Sequence, residues 1–101
     1  MELKEIIDRI SQLRTREGLS ARELSLRIGK NSAYINRLEY NKNFEPSISV
    51  INDIVENCNS SLMEFFYYDL NQYKIDAYLI SLLSKAKPEI KNSIIELLKN
   101  L

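Results

Sequence analysis

The chain has 101 residues, 45% apolar and 28% charged, with fourteen basic residues balancing fourteen acidic ones; this is one globular domain's worth, with material for one small core and none of the charge excess of a disordered tail. With no His and a single Cys58, every Ser-His, Cys-His, histidine-metal and cysteine-zinc arrangement is excluded, and the only glycines, Gly18 and Gly29, stand too far apart for either phosphate-loop pattern. What remains is a paired-carboxylate or metal-carboxylate site, which acidic residues scattered singly among basic ones serve poorly, so the expectation is a binding protein without catalysis, metal or cofactor.

Glycine, proline, Ser and Asn cut the chain into short helical pieces, and no stretch alternates strictly enough to read as a strand. Leu3, Ile6, Ile7, Ile10 and Leu13 recur at three- and four-residue spacing, which predicts a helix to about Arg16 that stops at Gly18. Ser20 with Glu23 three residues on is a capping box opening a second helix, with Leu24 and Ile28 inward and Gly29 at its end. A third helix of about two turns begins after Asn31, whose side chain accepts from an orphan amide; it buries Ile35 and Leu38 and stops at Asn41, a residue that tolerates a left-handed turn.

After a polar loop at 41–46, Ser47 caps a fourth helix burying Ile48, Ile51, Ile54 and Val55, and Asn59 ends it in a left-handed turn. Ser61 and Glu64 form a second capping box, opening a short helix with Leu62, Phe65 and Phe66. Cys58 reads as a small buried apolar residue near the end of the fourth helix, with a redox-sensing thiol as the other reading.

Past Asp69 two amphipathic stripes follow: Ile75, Tyr78, Leu79, Leu82, Leu83 and Ala86, then, behind Pro88 at a first helical position, Ile90, Ile94, Leu97, Leu98 and Leu101. Their short spacing predicts a hairpin, with a hinge between Tyr67 and Tyr73. The apolar runs at 65–68 and 77–80 are far too short to cross a bilayer, and the first five residues lack the layout of a signal peptide, so a cytosolic, membrane-free protein is expected.

The stretch from Leu19 to Glu39 resembles a phage-repressor-type helix-turn-helix of the XRE family. Pro46-Ser47 with its apolar helix and the segment 61–66 continue that resemblance over roughly residues 3–66. The fold class expected is all-α, a five-helix phage-repressor-like domain over 1–70 followed by a C-terminal two-helix dimerisation hairpin over 71–101. The sequence departs from the family pattern at Ala21, often a DNA-contacting glutamine, and at Asn41, usually glycine. Ser25 stands where the two helices cross and a small residue is expected.

The resemblance places Ser32, Ala33, Asn36 and Arg37 on the groove-facing side of the third helix, and periodicity agrees, because Ile35 and Leu38 point the other way. Asn36 suits adenine, Arg37 guanine, and Ala33 a thymine methyl, with Ser32 ambiguous. Phosphate contacts are expected from Arg22, Lys30, Lys42 and Asn43, and from the exposed amides after Ser20 and Asn31. Tyr34 is either a phosphate contact or a half-buried core tyrosine. From Arg14 to Lys42, seven basic residues stand against three acidic ones, an excess of +4 in a neutral chain. The family often pairs the positions of Arg14 and Glu39 in a partly buried salt bridge that orients the third helix.

The resemblance implies a transcriptional regulator, most often a repressor, binding a palindromic double-stranded DNA operator as a homodimer. Leu79, Leu82, Leu83, Ile90, Ile94, Leu97, Leu98 and Leu101 are the expected dimerisation residues, since a domain over residues 3–66 already has its own core. The alternative is a helix-turn-helix scaffold that binds another protein, such as a toxin or a regulator. Steep loss of affinity with salt distinguishes the first reading from the second.

Overall fold

The computed structural model describes residues 1–41 and 44–101. They form seven helices and no strand: α1 (Leu3–Arg16), α2 (Ala21–Arg27), α3 (Tyr34–Tyr40), α4 (Ile48–Asn57), α5 (Leu62–Phe65), α6 (Tyr73–Ser84) and α7 (Pro88–Lys99). The chain divides into two units, Met1–Leu70 and Asn71–Leu101.

In the first unit, α1 to α5 enclose one core. Ile10 and Leu13 of α1, Leu24 of α2, Ile35 and Leu38 of α3, Ile51, Ile54 and Val55 of α4, then Cys58 and Phe65, are all buried. Three helices end alike. Gly18, Gly29 and Asn59 take positive φ of 69°, 75° and 52°, and the next amides, Leu19, Lys30 and Ser60, donate back to the carbonyls of Arg14, Ser25 and Val55. This is the turn that satisfies carbonyls left over at a helix end, and the left-handed backbone it needs is why glycine or asparagine stands there.

Ser20 and Glu23 form the complete capping box, and Ser47 accepts from the Val50 amide. At the start of α5, Ser61 accepts from the Glu64 amide, while the Glu64 carboxylate turns to Arg16 and Ser60. A buried carboxylate needs a cation more than an exposed amide does, so the reciprocal box expected from the sequence gives way to an ion pair.

Other expectations are corrected. The third helix starts at Tyr34, because the Asn31 side chain accepts from the Ala33 amide and its carbonyl accepts from Tyr34, holding 31–34 as a turn. Ser32 and Ala33 therefore precede the helix. Asn41 ends α3 in extended backbone, with φ −97° and ψ 102°, and not in a left-handed turn. Ile48 is 61% exposed, since it is the first residue of α4 and lies at the edge of the unit. Phe66 is also exposed, one residue past α5, with its ring edge-on to Phe65.

The second unit consists of α6 and α7, linked by residues 85–87. Pro88 is at the start of α7, where its missing N–H costs nothing. Neither helix has a buried residue; Leu79, Leu82, Ile90, Leu97, Leu98 and Leu101 are exposed, and Leu83 and Ile94 are half-buried.

Candidate nucleic-acid interface

The interface is built on α2 and α3, which pack closely across the turn at 28–33. Their junction is fixed by Ser25, fully buried in α2. Its hydroxyl donates to the Ala21 carbonyl at 2.7 Å and accepts from the Ile35 amide of α3 at 2.9 Å. The N-cap of α3 is Ala33, whose methyl cannot accept a hydrogen bond, so Ser25 supplies from the neighbouring helix the acceptor that the start of α3 lacks.

Arg14 ties α3 to α1. Its Nε donates to Glu39 Oε1 at 2.8 Å, Nη2 to Glu39 Oε2 at 3.1 Å, and Nη1 to the Leu19 carbonyl at 2.9 Å. The Glu39 hydrogen bonds raise the Arg14 pKa, partly offset by burial. A two-pronged guanidinium–carboxylate contact constrains angle as well as distance, so it holds the rotation of α3 about its own axis.

That rotation leaves Asn36 and Arg37 exposed and Ile35 and Leu38 buried. Ala33 is exposed and Ser32 half-buried, both in the turn leading into α3. Arg37 Nη2 donates to Asn31 Oδ1 at 3.1 Å, the same oxygen that accepts from the Ala33 amide. Asn31 is thus engaged with its own turn and with Arg37.

Arg22 and Lys30 are exposed on α2 and just beyond it. The Lys30 ammonium is 5.4 Å from the centre of the Tyr34 ring, which meets Phe44 edge-on at 5.4 Å. Tyr34 is half-buried and burial raises its phenol pKa. At Ser20 the backbone amide donates to Glu23, and this bond lowers the Glu23 pKa; a carboxylate therefore already occupies the start of α2, where an incoming phosphate would meet negative charge. Lys42 and Asn43 lie outside the described residues.

Among the described basic residues of the 14–42 segment, Arg14 and Arg16 serve the fold. Arg14 holds Glu39, and Arg16 holds Glu64 through both oxygens at 3.1 and 3.2 Å, which raises the Arg16 pKa. Arg9, which sequence reasoning passes over, donates to the carbonyls of Phe65, Tyr67 and Tyr68 and ties α1 to the end of the first unit. Neither Arg9 nor Arg16 sits in a local motif; each meets acceptors about fifty residues away. Cys58 is fully buried, and burial raises its thiol pKa. Among the described residues no group of three His, Cys, Asp or Glu side chains could hold a metal, and no helix is long and apolar enough to cross a membrane.

A short helix, a tight turn and a second short helix with one face packed and the other bare define a helix-turn-helix domain, with α3 as its recognition helix. The helix-turn-helix family model matches residues 10–65, more than half of the chain. The chain belongs to that family, the XRE-type DNA-binding regulators. No curated protein and no solved structure matches it.

Proposed function

We propose that this regulator binds a palindromic operator as a homodimer and represses transcription. The observation that supports this reading best is the division of α3 into a buried side, Ile35 and Leu38, and a bare polar side, Asn36 and Arg37. In a major groove Asn36 would pair with an adenine edge and Arg37 with guanine, while Ala33 meets a thymine methyl and Ser32 bonds either base. Phosphate contacts fall to Arg22, Lys30, Lys42 and Asn43, with Tyr34 and the turn at Asn31 beside them, whereas the Ser20 amide, already bonded to the Glu23 carboxylate, drops out of that set. Arg14 and Glu39 orient the reader and stay off the DNA.

One recognition helix of two turns reads few base pairs, so specificity calls for two half-sites about 34 Å apart. The surface for pairing is the apolar stripe of α6 and α7: Leu79, Leu82, Leu83, Ile90, Ile94, Leu97, Leu98 and Leu101. Stripes of this kind, with no buried residue in the single chain, fit a two-fold contact with a second copy. Selection of bound duplexes from a random DNA pool tests the whole reading. Enrichment of a palindrome is expected, together with steep loss of affinity as salt rises. Enrichment of a single asymmetric half-site would overturn the homodimer, and no enrichment at all would overturn sequence-specific binding.

A further inference from the structure

Arg37 does not stand alone on the bare side of α3. Its guanidinium reaches back six residues to the turn before the helix, where Nη2 donates to Asn31 Oδ1 at 3.1 Å. The same oxygen accepts from the Ala33 amide at 3.0 Å, and the Asn31 carbonyl accepts from the Tyr34 amide at 3.1 Å, so backbone and side chain of Asn31 are both fixed to the start of α3. Asn31 and Arg37 are both exposed. Water would replace such a bond at little cost, so its weight in folding is small. Its consequence is for where a long side chain with many rotamers points.

Direction decides what such a side chain does in a groove. The start of a recognition helix lies over the base edges, whereas the wall beside it is sugar and phosphate. An untethered arginine one turn into the helix can swing to either; tied to Asn31, its guanidinium is drawn toward the helix start. The bond leaves the fork usable, because of the five N–H donors of a guanidinium one goes to Asn31, and guanine O6 and N7 need only two of the four that remain. The Oδ1 atom offers only lone pairs, so it can hold an arginine but cannot bind a phosphate. We propose that Asn31 is a positioning residue for sequence reading, which holds the Arg37 guanidinium toward a guanine edge and so raises discrimination at that base pair. This rests on the reading of Arg37 as a base contact above, and it gives the Asn31 side chain a role separate from that of its turn.

The test compares Asn31→Ala, Asn31→Asp, Arg37→Ala and the double variant Asn31→Ala with Arg37→Ala on two duplexes. One carries the enriched operator; in the other, the G·C pair at which Arg37→Ala loses preference is replaced by A·T in one half-site. Asn31→Ala should lower the ratio of the two affinities by about two- to tenfold, the cost of ordering one long side chain, through weaker binding to the operator. Asn31→Asp keeps the oxygen, so its added charge should weaken both duplexes alike and leave the ratio at the wild-type value. In the Arg37→Ala background, Asn31→Ala should change the ratio no further. A role confined to the turn would instead weaken both duplexes together or persist once Arg37 is gone, and either result would overturn the assignment whatever the melting temperature of Asn31→Ala. Unchanged or tighter operator binding by Asn31→Ala would also overturn it, and would make the bond a restraint that DNA has to break. Full base preference in Arg37→Ala would overturn the assignment and leave DNA binding standing, whereas failure of the wild type to bind either duplex would overturn both readings.

Discussion

Residues 1–70 and 71–101 carry similar apolar stripes at helical spacing, with opposite outcomes. In the first unit five helices converge, and Ile10, Leu13, Leu24, Ile35, Leu38, Ile54 and Phe65 lose all contact with solvent. In the second, two helices of twelve residues each have no buried residue. The polar bonds differ in the same way. Arg9, Arg14, Arg16 and Ser25 reach between helices of the first unit, whereas Ser81, Ser84, Ser93 and Asn100 bond carbonyls of their own helices. A stripe states that a face needs cover; only the number of elements that converge on it decides whether the same chain provides that cover.

Truncating a core ring should show the contrast most strongly. Phe65→Ala leaves a cavity in the first unit and should cost about 3–5 kcal/mol in denaturant unfolding; a loss below about 1 kcal/mol would mean that the core does not depend on α5. Ser25→Ala strands the Ile35 amide, and the expected cost is about 1–3 kcal/mol. The same change at Ser93, whose hydroxyl only bonds its own helix, should be nearly silent in the same assay, and equal effects would erase the distinction between the units. For Arg14→Met and Glu39→Gln, thermal unfolding of the singles and the double should reveal a coupling of about 1 kcal/mol, and additive losses would show that the bridge does not act as a unit. The smallest effect on the fold should come from Leu97→Glu with Leu98→Glu: unfolding of the first unit should shift by less than about 0.5 kcal/mol. If the chain pairs as proposed, light scattering should report a dimer for the wild type and a monomer for this variant; an unchanged dimer would place the contact elsewhere, and a monomeric wild type would overturn the pairing.

What the sequence made legible was local. Ser20 with Glu23, Ser47, and the left-handed residues Gly18, Gly29 and Asn59 act within four or five residues of themselves, so their roles follow from spacing. The inward positions of α1 to α5 were legible for the same reason, except where an end effect intervened, as at Ile48. The start of α3 was misplaced because the side chain of Asn31 bonds its own turn and delays the helix to Tyr34. The contacts of Arg9 and the ion pair of Arg16 with Glu64 were invisible, since the partners lie about fifty residues apart and no period links them. Within the candidate site, the bare side of α3 could be read from Ile35 and Leu38. The engagement of Asn31 with Arg37 required coordinates, because both ends of that bond are exposed and neither position is dictated by packing.

The contact that Arg9 makes with the backbone of 65, 67 and 68 bears on the order in which the molecule is assembled. Its acceptors come 56 to 59 residues later, whereas Ser25 and the Ile35 amide are ten residues apart. Closing the longer loop costs about 1.5 kcal/mol more in chain entropy, and during synthesis its far end is also the last part of the unit to be made. The α2–α3 pair should therefore protect the Ile35 amide from pulsed hydrogen exchange before α1 is fastened to the end of α5; simultaneous protection throughout the unit would contradict this order. By this account the reading element takes shape early, and the arginine acts afterwards as a latch on a nearly finished domain.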